Sequence, residues 1–406
     1  MATTRPATTA ALIPLVCILA AGCSSSSSAG TTQPSITFDL HTTVSTAQPE
    51  RYVCEFVQMP GGSGPIYVDG GSFQASIGTH HFLLFRTSLT APPPSLGQQV
   101  DCFEGQGVMQ YERGFVTGGQ TLSDEGHFTP GLALSFQPGA VLLLQWHLLD
   151  ATSQDIDASL HVALDTVPAD TVTTRVGTLR FYDPYIYVPA DAPGSAHMRC
   201  HLHRDITLLL AAPHMHALGV GYSAYLDLPG AAPASAPFYT TNAWSNPASW
   251  TGALSAPSGS DIRYECDYRN TRDTAVVQGL SETENEMCMF SAFYVPETDG
   301  EDDDCSSMDQ LGTGTQSCAQ TTSCLEQCSP SDEPHFETGN PTVGACWQQC
   351  IASSCPNATS ALLPQLECTQ TNCSAACASF GAACTQCVVD QCSAQVAACQ
   401  SLACGP

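Results

Sequence analysis

The chain is poor in positive charge: 11 Lys+Arg stand against 38 Asp+Glu in 406 residues, a formal net charge of -27. Nucleic acids and anionic lipid surfaces are bound through clusters of Lys and Arg, so neither is expected as a partner. Charged residues of both signs amount to only 12%. Long solvent-facing helices need more than that, whereas 28 Pro and 32 Gly suit many short strands joined by turns. Apolar runs long enough to span a bilayer are also missing, since the N-terminal run from Ala10 to Ala21 is too short to cross as a helix.

Cysteine is what the chain has in excess. Twenty-two Cys are too many for a reducing cytosol unless metal holds them, which points to an oxidising, exported setting. Arg5 precedes the Ala10–Ala21 run, which ends Ala20-Ala21-Gly22-Cys23. This resembles a bacterial lipoprotein signal, with residues 1–22 removed and Cys23 acylated. It departs from the usual pattern in having Ala20 three residues before the cysteine and Leu19 one place earlier. Ser24 in place of Asp implies sorting to the outer membrane. Ser24 to Ser28 opens a flexible tether over 23–34. With Cys17 lost in the signal and Cys23 carrying lipid, an even number of cysteines is left to pair.

The middle of the chain carries histidines in strand-like contexts. Ile77-Gly78-Thr79-His80-His81-Phe82-Leu83-Leu84-Phe85 is a turn feeding an apolar run, with two histidines at the strand entry. Val141 to Leu149 is apolar except at Gln145 and His147, as in a buried strand. Ile206 to Ala212 ends in Pro213-His214-Met215-His216, and His-x-His spacing puts both imidazoles on one face of an extended segment. Glu282 to Phe290, which contains Met287, leads into the strand-like Phe293-Tyr294-Val295. Imidazole and thioether are the donors that suit copper as it cycles between Cu(I) and Cu(II). Met289, two residues on, shares the strand face of Met287 and stands as the alternative thioether, although Met215 and Met289 also suit packing. His127, His161, His197, His201, His203 and His335, taken singly, read as hydrogen-bonded structural histidines. Gln145 reads either as a residue supporting the metal ligands or as a structural hydrogen-bonding group.

The order His-His, Gln-x-His, His-x-His, Glu-Met-Cys, at domain-sized separations from about Ser35 to Cys305, resembles the copper type II, ascorbate-dependent monooxygenases, the peptidylglycine alpha-hydroxylating and dopamine beta-monooxygenase family. The resemblance implies a mainly β fold of two tandem jelly-roll-like antiparallel β-sandwich domains, over 35–168 and 169–304. It also implies two coppers per chain. One, on His80, His81 and His147, would accept electrons. The other, on His214, His216 and Met287, would be the catalytic centre where O2 meets substrate, across a solvent-filled cleft. Ascorbate or another one-electron reductant would be co-substrate, and a C–H bond of a small organic substrate would be hydroxylated. Family position also implies the bridges Cys54–Cys102, Cys266–Cys288 and Cys200–Cys305, the second pinning the loop that carries Met287. Peptide-amidating members grip a carboxylate with residues that fall here at Ala212, Met289 and Ser291, none of which can act as an arginine clamp. A smaller or more apolar substrate is therefore expected, with Met289, Phe290 and Phe293 as candidate pocket or core residues.

The segment 305–406 is a Cys-rich tail of another kind. Cysteines three to five residues apart stay on one helical face, and the spacing order reverses between sets, as two antiparallel helices require. The tail therefore reads as disulfide-stapled helical hairpins. The expected pairs are Cys328–Cys346, Cys324–Cys350, Cys318–Cys355, Cys377–Cys384, Cys373–Cys387, Cys368–Cys392 and Cys399–Cys404, with thiolate metal storage as the rival reading. The acidic run Glu301-Asp302-Asp303-Asp304 reads as a solvated hinge, or as a Ca2+ site. Nothing identifies a partner for the tail. Besides a monooxygenase, the ligand set is open to a non-catalytic copper-binding or electron-transfer lipoprotein, and the sandwich to a structural or adhesive surface protein.

Overall fold

The computed structural model describes residues 35–103, 108–150, 154–297, 311–332, 343–377, 381–402 and 404. The signal, Cys23, the tether and the acidic run fall outside the described residues. Within them the protein is mainly β, built from several antiparallel sheets, with a helical, disulfide-rich C-terminal region.

The first half holds two sheets. One runs, in order across it, Gln99–Asp101, Glu50–Gln58, Val141–Leu149, Thr79–Thr87 and Glu112–Gly119. The other runs Ser35–Val44, Ile156–Val167, Ile66–Ala75, Leu132–Phe136 and Thr174–Arg175, with Ser123–His127 also paired to Ile66–Ala75. Strand alternation decides which side chains enter the core between them. In Val141–Leu149, Leu142, Leu144, Trp146 and Leu148 join the main core with Phe82 and Leu84. Val141 and Leu143 point the other way, into a smaller cluster with Cys54, Phe56, Phe85 and Cys102. By the same period of two, Gln145 and His147 follow Val141 and Leu143 onto that second face. The strand is buried on both sides, which explains its nearly unbroken apolar sequence.

The chain leaves the first half through the 3-10 turn Ala169–Thr171, and Thr174–Arg175 still pairs, in parallel, with Leu132–Ala133. The second half has one sheet of Gly177–Tyr182, Met289–Val295, Ile206–His214 and Trp250–Ala256. The other contains Pro193–His201, Asp261–Arg269, Gly219–Asp227 and Tyr239–Thr241. A short pair, Tyr187–Val188 with Val276–Val277, lies beside them. Alternation again sorts residues: Phe290, Ala292 and Tyr294 enter the core, leaving Met289, Ser291 and Phe293 on the opposite face. A register shift between Leu208 and Leu210 changes the phase of its neighbour, so Leu210, Ala212 and His214 share that outward face. This face packs on the first half, with the Phe293 ring 5.1 Å from Phe128 and 5.9 Å from Phe115 between centroids.

The helical region is not a separate body. Leu311, Leu325, Trp347, Ile351, Ala358 and Leu362 belong to the same core as Phe290 and Tyr294. Gln348 of the helix Ala345–Ser353 makes a two-way clamp on Gln278: its Oε1 accepts from Gln278 N at 2.6 Å, and its Nε2 donates to Gln278 O at 3.1 Å. The remaining helices are Cys318–Leu325, Pro356–Cys377, Ala382–Gln391 and Ser393–Gln400. Ser317 and Gln320 form a capping box at the start of the first.

Five of the expected tail bridges are present: Cys324–Cys350, Cys328–Cys346, Cys368–Cys392, Cys373–Cys387 and Cys377–Cys384. Two are corrected. Cys318 pairs with Cys399 and Cys355 with Cys404, in place of Cys318–Cys355 and Cys399–Cys404. The mirror pattern fails there because the helix Ala345–Ser353 ends at an extended Ser354, so Cys355 leaves the ladder before reaching Cys318. The last helix then returns along the first and supplies Cys399, and the chain beyond it supplies Cys404.

Candidate metal centre

The strand register of the first half brings the first three histidines together. His81 lies directly across from His147 in the pairing of Thr79–Thr87 with Val141–Leu149. Simple alternation would send His80 to the opposite face. The register slips between Thr79 and His81, just after a turn in which Gly78 takes φ 88°, and this bulge brings both histidines to one side. The Nδ1 atoms of His80 and His81 are 3.0 Å apart, and one donor atom from each of His80, His81 and His147 lies within 4.8 Å of the others.

The second set stands on the end of Ile206–His214 and on the 280s loop. His214 and His216 have ring centroids 5.2 Å apart. Glu286 holds the turn after them, its carboxylate accepting from His216 N at 3.0 Å and Leu218 N at 2.6 Å. The Cys266–Cys288 bridge and a bond from Tyr268 Oη to Met287 O at 2.8 Å hold the Met287 backbone. In the first half Cys54–Cys102 is formed; Cys200 is disulfide-bonded, and its expected partner Cys305 lies outside the described residues.

The solvent-filled gap expected between the two sets is absent, because His81 and His214 rings approach to 5.6 Å between centroids. The five histidines form one cluster at the junction of the halves. Beside it lies a cavity of about 240 Å³ whose walls include His81, His214, Gln145 and Met287. Met289 and Phe293 also line it, whereas Phe290 is fully buried in the core. Met287 and Met289 pack together with Tyr182 and Leu280. Gln145 directs its amide at Met109 Sδ, 3.3 Å away. Arg180 also faces the cavity, but its guanidinium is ion-paired with the buried Glu112 and stacked over Phe85.

The hydrogen bonds fix which ring nitrogens are free. His147 Nε2 donates to Glu50 Oε1 at 3.1 Å, leaving Nδ1 as a buried lone pair with no partner. His216 Nδ1 donates to Asn285 O at 3.1 Å, leaving Nε2 buried and without a hydrogen-bond partner. His214 Nδ1 is 2.9 Å from the Gln120 amide. Tyr52 stacks on His147 at 3.9 Å between centroids and bonds Leu280 O at 2.5 Å, joining the two halves.

Burial keeps these imidazoles neutral. His80 and His216 are each pushed down to about 4, desolvation leading in both cases. His81 and His214 lie well below the ordinary value, first from burial and then from neighbouring histidines, and burial also lowers His147 against the opposing pull of Glu50. Neutral imidazole is the form that ligates a metal. The carboxylates behave oppositely. Glu50 is lowered, chiefly by its bond to His147. Burial raises Glu282 to about 8, reinforced by Glu286 and Glu50, and raises Glu286 to about 7. Orphaned buried nitrogens, neutral imidazoles and a neighbouring thioether together fit a soft or borderline metal ion such as copper.

No family model matches this chain, and no curated protein does. Among solved structures it is similar to the infectious bursal disease virus VP2 subviral particle, at 11% identity and a TM-score of 0.16, over 65% of this chain and 73% of that one. That likeness carries no argument about fold or function.

Glu50, Glu282 and Gln120 are site residues that sequence reading misses. Each is a common polar residue with no motif of its own, and only the meeting of the two halves brings it to the histidines. Glu286 sits within the Glu-Met-Cys segment, but its task of holding the 216–218 turn is visible only in three dimensions.

Proposed function

We propose that the protein is a copper-dependent monooxygenase that hydroxylates a C–H bond of a small, apolar organic substrate with O2 and ascorbate or another one-electron donor. The observation that carries this reading is the clustering of five buried or half-buried histidines, two of which, His81 and His214, share a cavity wall with Met287, while the free nitrogens of His147 and His216 lack a hydrogen-bond partner. In this reading the two β halves would be the tandem jelly-roll-like sandwiches that the sequence resemblance implies. His80, His81 and His147 would hold one copper through Nδ1-type donors. His214, His216 and Met287 would hold the other. Bound copper would supply single-electron chemistry toward O2, the donor providing two electrons so that R–H, O2 and two protons yield R–OH and water.

The chain's own residues set what reaches that chemistry. Leu83, Phe85, Phe115, Met289 and Phe293 make the cavity apolar, and Glu112 cancels the charge of Arg180. A substrate carboxylate would have to displace that buried pair, so neutral substrates are favoured. The lipid anchor on Cys23 would tether the enzyme to the outer membrane.

The test is copper per chain after anaerobic reconstitution, with X-ray absorption of the Cu(I) form in the wild type and in Met287→Ile, followed by ascorbate-dependent oxygen uptake. Two coppers with one sulfur scatterer that disappears in the variant, together with oxygen uptake, are expected. One copper or none, or sulfur that persists, sinks the two-site reading. Copper binding without oxygen uptake moves it to a binding or electron-transfer protein.

A further inference from the structure

Glu282 lies between the two histidine sets. Its Oε1 is 3.6 Å from His80 Nε2 and its Oε2 is 3.5 Å from His216 Nε2, with the side chain only 4% exposed. Neither oxygen has a hydrogen-bond partner. A buried carboxylate without donors is costly, and the neighbouring side chains add no compensation: Glu50 accepts from Glu282 N at 3.1 Å, and Glu286 presents another carboxylate. A bound cation would supply the missing partner.

The two gaps differ in kind. His216 commits Nδ1–H to Asn285 O, so its Nε2 turns a lone pair toward Glu282 Oε2. Two donors sharing one tetrahedral ion at about 2.0–2.2 Å stand about 3.4 Å apart, close to this spacing. His80 instead turns Nδ1 toward His81, so its Nε2–H leaves the first set in the direction of Glu282 Oε1. We propose that Glu282 links the two metal positions: Oε2 ligates the ion held by His216, and Oε1 accepts the Nε2–H of His80.

This rests on the copper reading above and adds a ligand that His214, His216 and Met287 do not supply. A carboxylate is a harder donor than the thioether, so it holds the oxidised ion where Met287 holds the reduced one. It also gives the two sets a bonded connection, from imidazole to carboxylate, at the place where the sequence resemblance implies only solvent. Glu50 is the positioning residue for this carboxylate, because it bonds Glu282 N, Ser281 Oγ and His147 Nε2 at once.

The experiment uses the full mature chain, metal-free and loaded with Cu(II), as wild type, Glu282→Gln and Glu282→Asp. Copper affinity is read by competition with a chelator, stoichiometry by elemental analysis and stability by melting temperature. Glu282→Gln is expected to keep one copper at wild-type affinity and to lose 10- to 100-fold on the other, as loss of a supporting ligand does. Its metal-free form should melt close to the wild type, since Gln keeps the size of the side chain and neither Glu282 oxygen has a hydrogen-bond partner to lose, while its copper-induced rise in melting temperature shrinks. Glu282→Asp, which keeps the charge, should recover part of the affinity and decides the matter if the Gln variant does not fold. Unchanged affinity for both coppers in the variants overturns the proposal, as does a metal-free Gln variant that melts lower with its copper-induced rise intact. Failure of the wild type to bind copper would remove the functional reading as well, so the two failures are distinguishable.

Discussion

The first histidine set grows out of a sheet, the second out of a strand end and a loop. His81 and His147 are cross-strand neighbours in the centre of a buried sheet, and a one-residue bulge adds His80. Ladder hydrogen bonds and two apolar clusters hold these three positions wherever the rest of the chain lies. His216, Glu282 and Met287 have no such ladder. Their placement depends on the Cys266–Cys288 bridge, the Glu286 bonds, the Glu50 link from the other half and the helical region beyond. A preformed half and an assembled half make different demands on sequence, and they should fail differently.

Loss of a sheet-borne ligand should cut deepest and stay local. His81→Gln is expected to reduce copper from two ions to one, counted by elemental analysis, with the remaining ion keeping its wild-type affinity. A loss of both ions would mean that the halves are not separable. Removing the bridge with Cys266→Ser and Cys288→Ser together should lower unfolding stability by about 3 kcal/mol, from the chain entropy of a loop of 22 residues. Copper at the second set should weaken while the first set is untouched; chemical denaturation and copper competition check each part.

Glu50→Gln tests the link between the halves. It weakens the anchor on His147 and on the 281–282 backbone, and a 10- to 100-fold loss of copper affinity is expected, measurable by competition. Gln348→Ala removes the clamp on Gln278 from the helical side and should cost about 1–3 kcal/mol in denaturant unfolding, because the buried Gln278 N–H and C=O lose a partner. A near-zero value would make the helical region a passenger.

The gentlest handle is pH on the metal-free chain. Glu282 and Glu286 sit at about 8 and 7 in the folded protein against an ordinary 4.5, so the folded state holds their protons more tightly. Their contribution is present at low pH and is lost as pH rises from 4.5 toward 8. His80 and His216, at about 4 against 6.5, act in the other direction, losing stability as pH falls from 6.5 toward 4. Above 6.5 only the carboxyl effect remains, so the melting temperature should fall between pH 6.5 and 8, and Glu282→Gln should flatten that slope in a calorimetric series.

How much of this was legible beforehand follows the same division. The Val141–Leu149 run announces a buried strand because apolar residues fill both faces, and its polar exceptions, Gln145 and His147, are both buried at the junction. Met289 and Phe290 could not be told apart from composition, since both are apolar; the strand phase sends one to the cavity and the other to the core. Helical spacing predicts the ladder of the last hairpin, from Cys368 to Cys392. It fails at Cys355, because the helix Ala345–Ser353 stops before reaching it and the chain end folds back to pair with it.

Local chemistry along the chain determined the strands, the histidines they present and most of the staples, because periodicity and donor type are properties of neighbouring residues. The contact of His81 with His214, the cavity beside them, the buried Glu282 and the fusion of the helical region with the second core were decided only by tertiary structure. Each of these joins residues tens to hundreds of positions apart, and no local pattern records which distant surfaces meet when the halves close on one another.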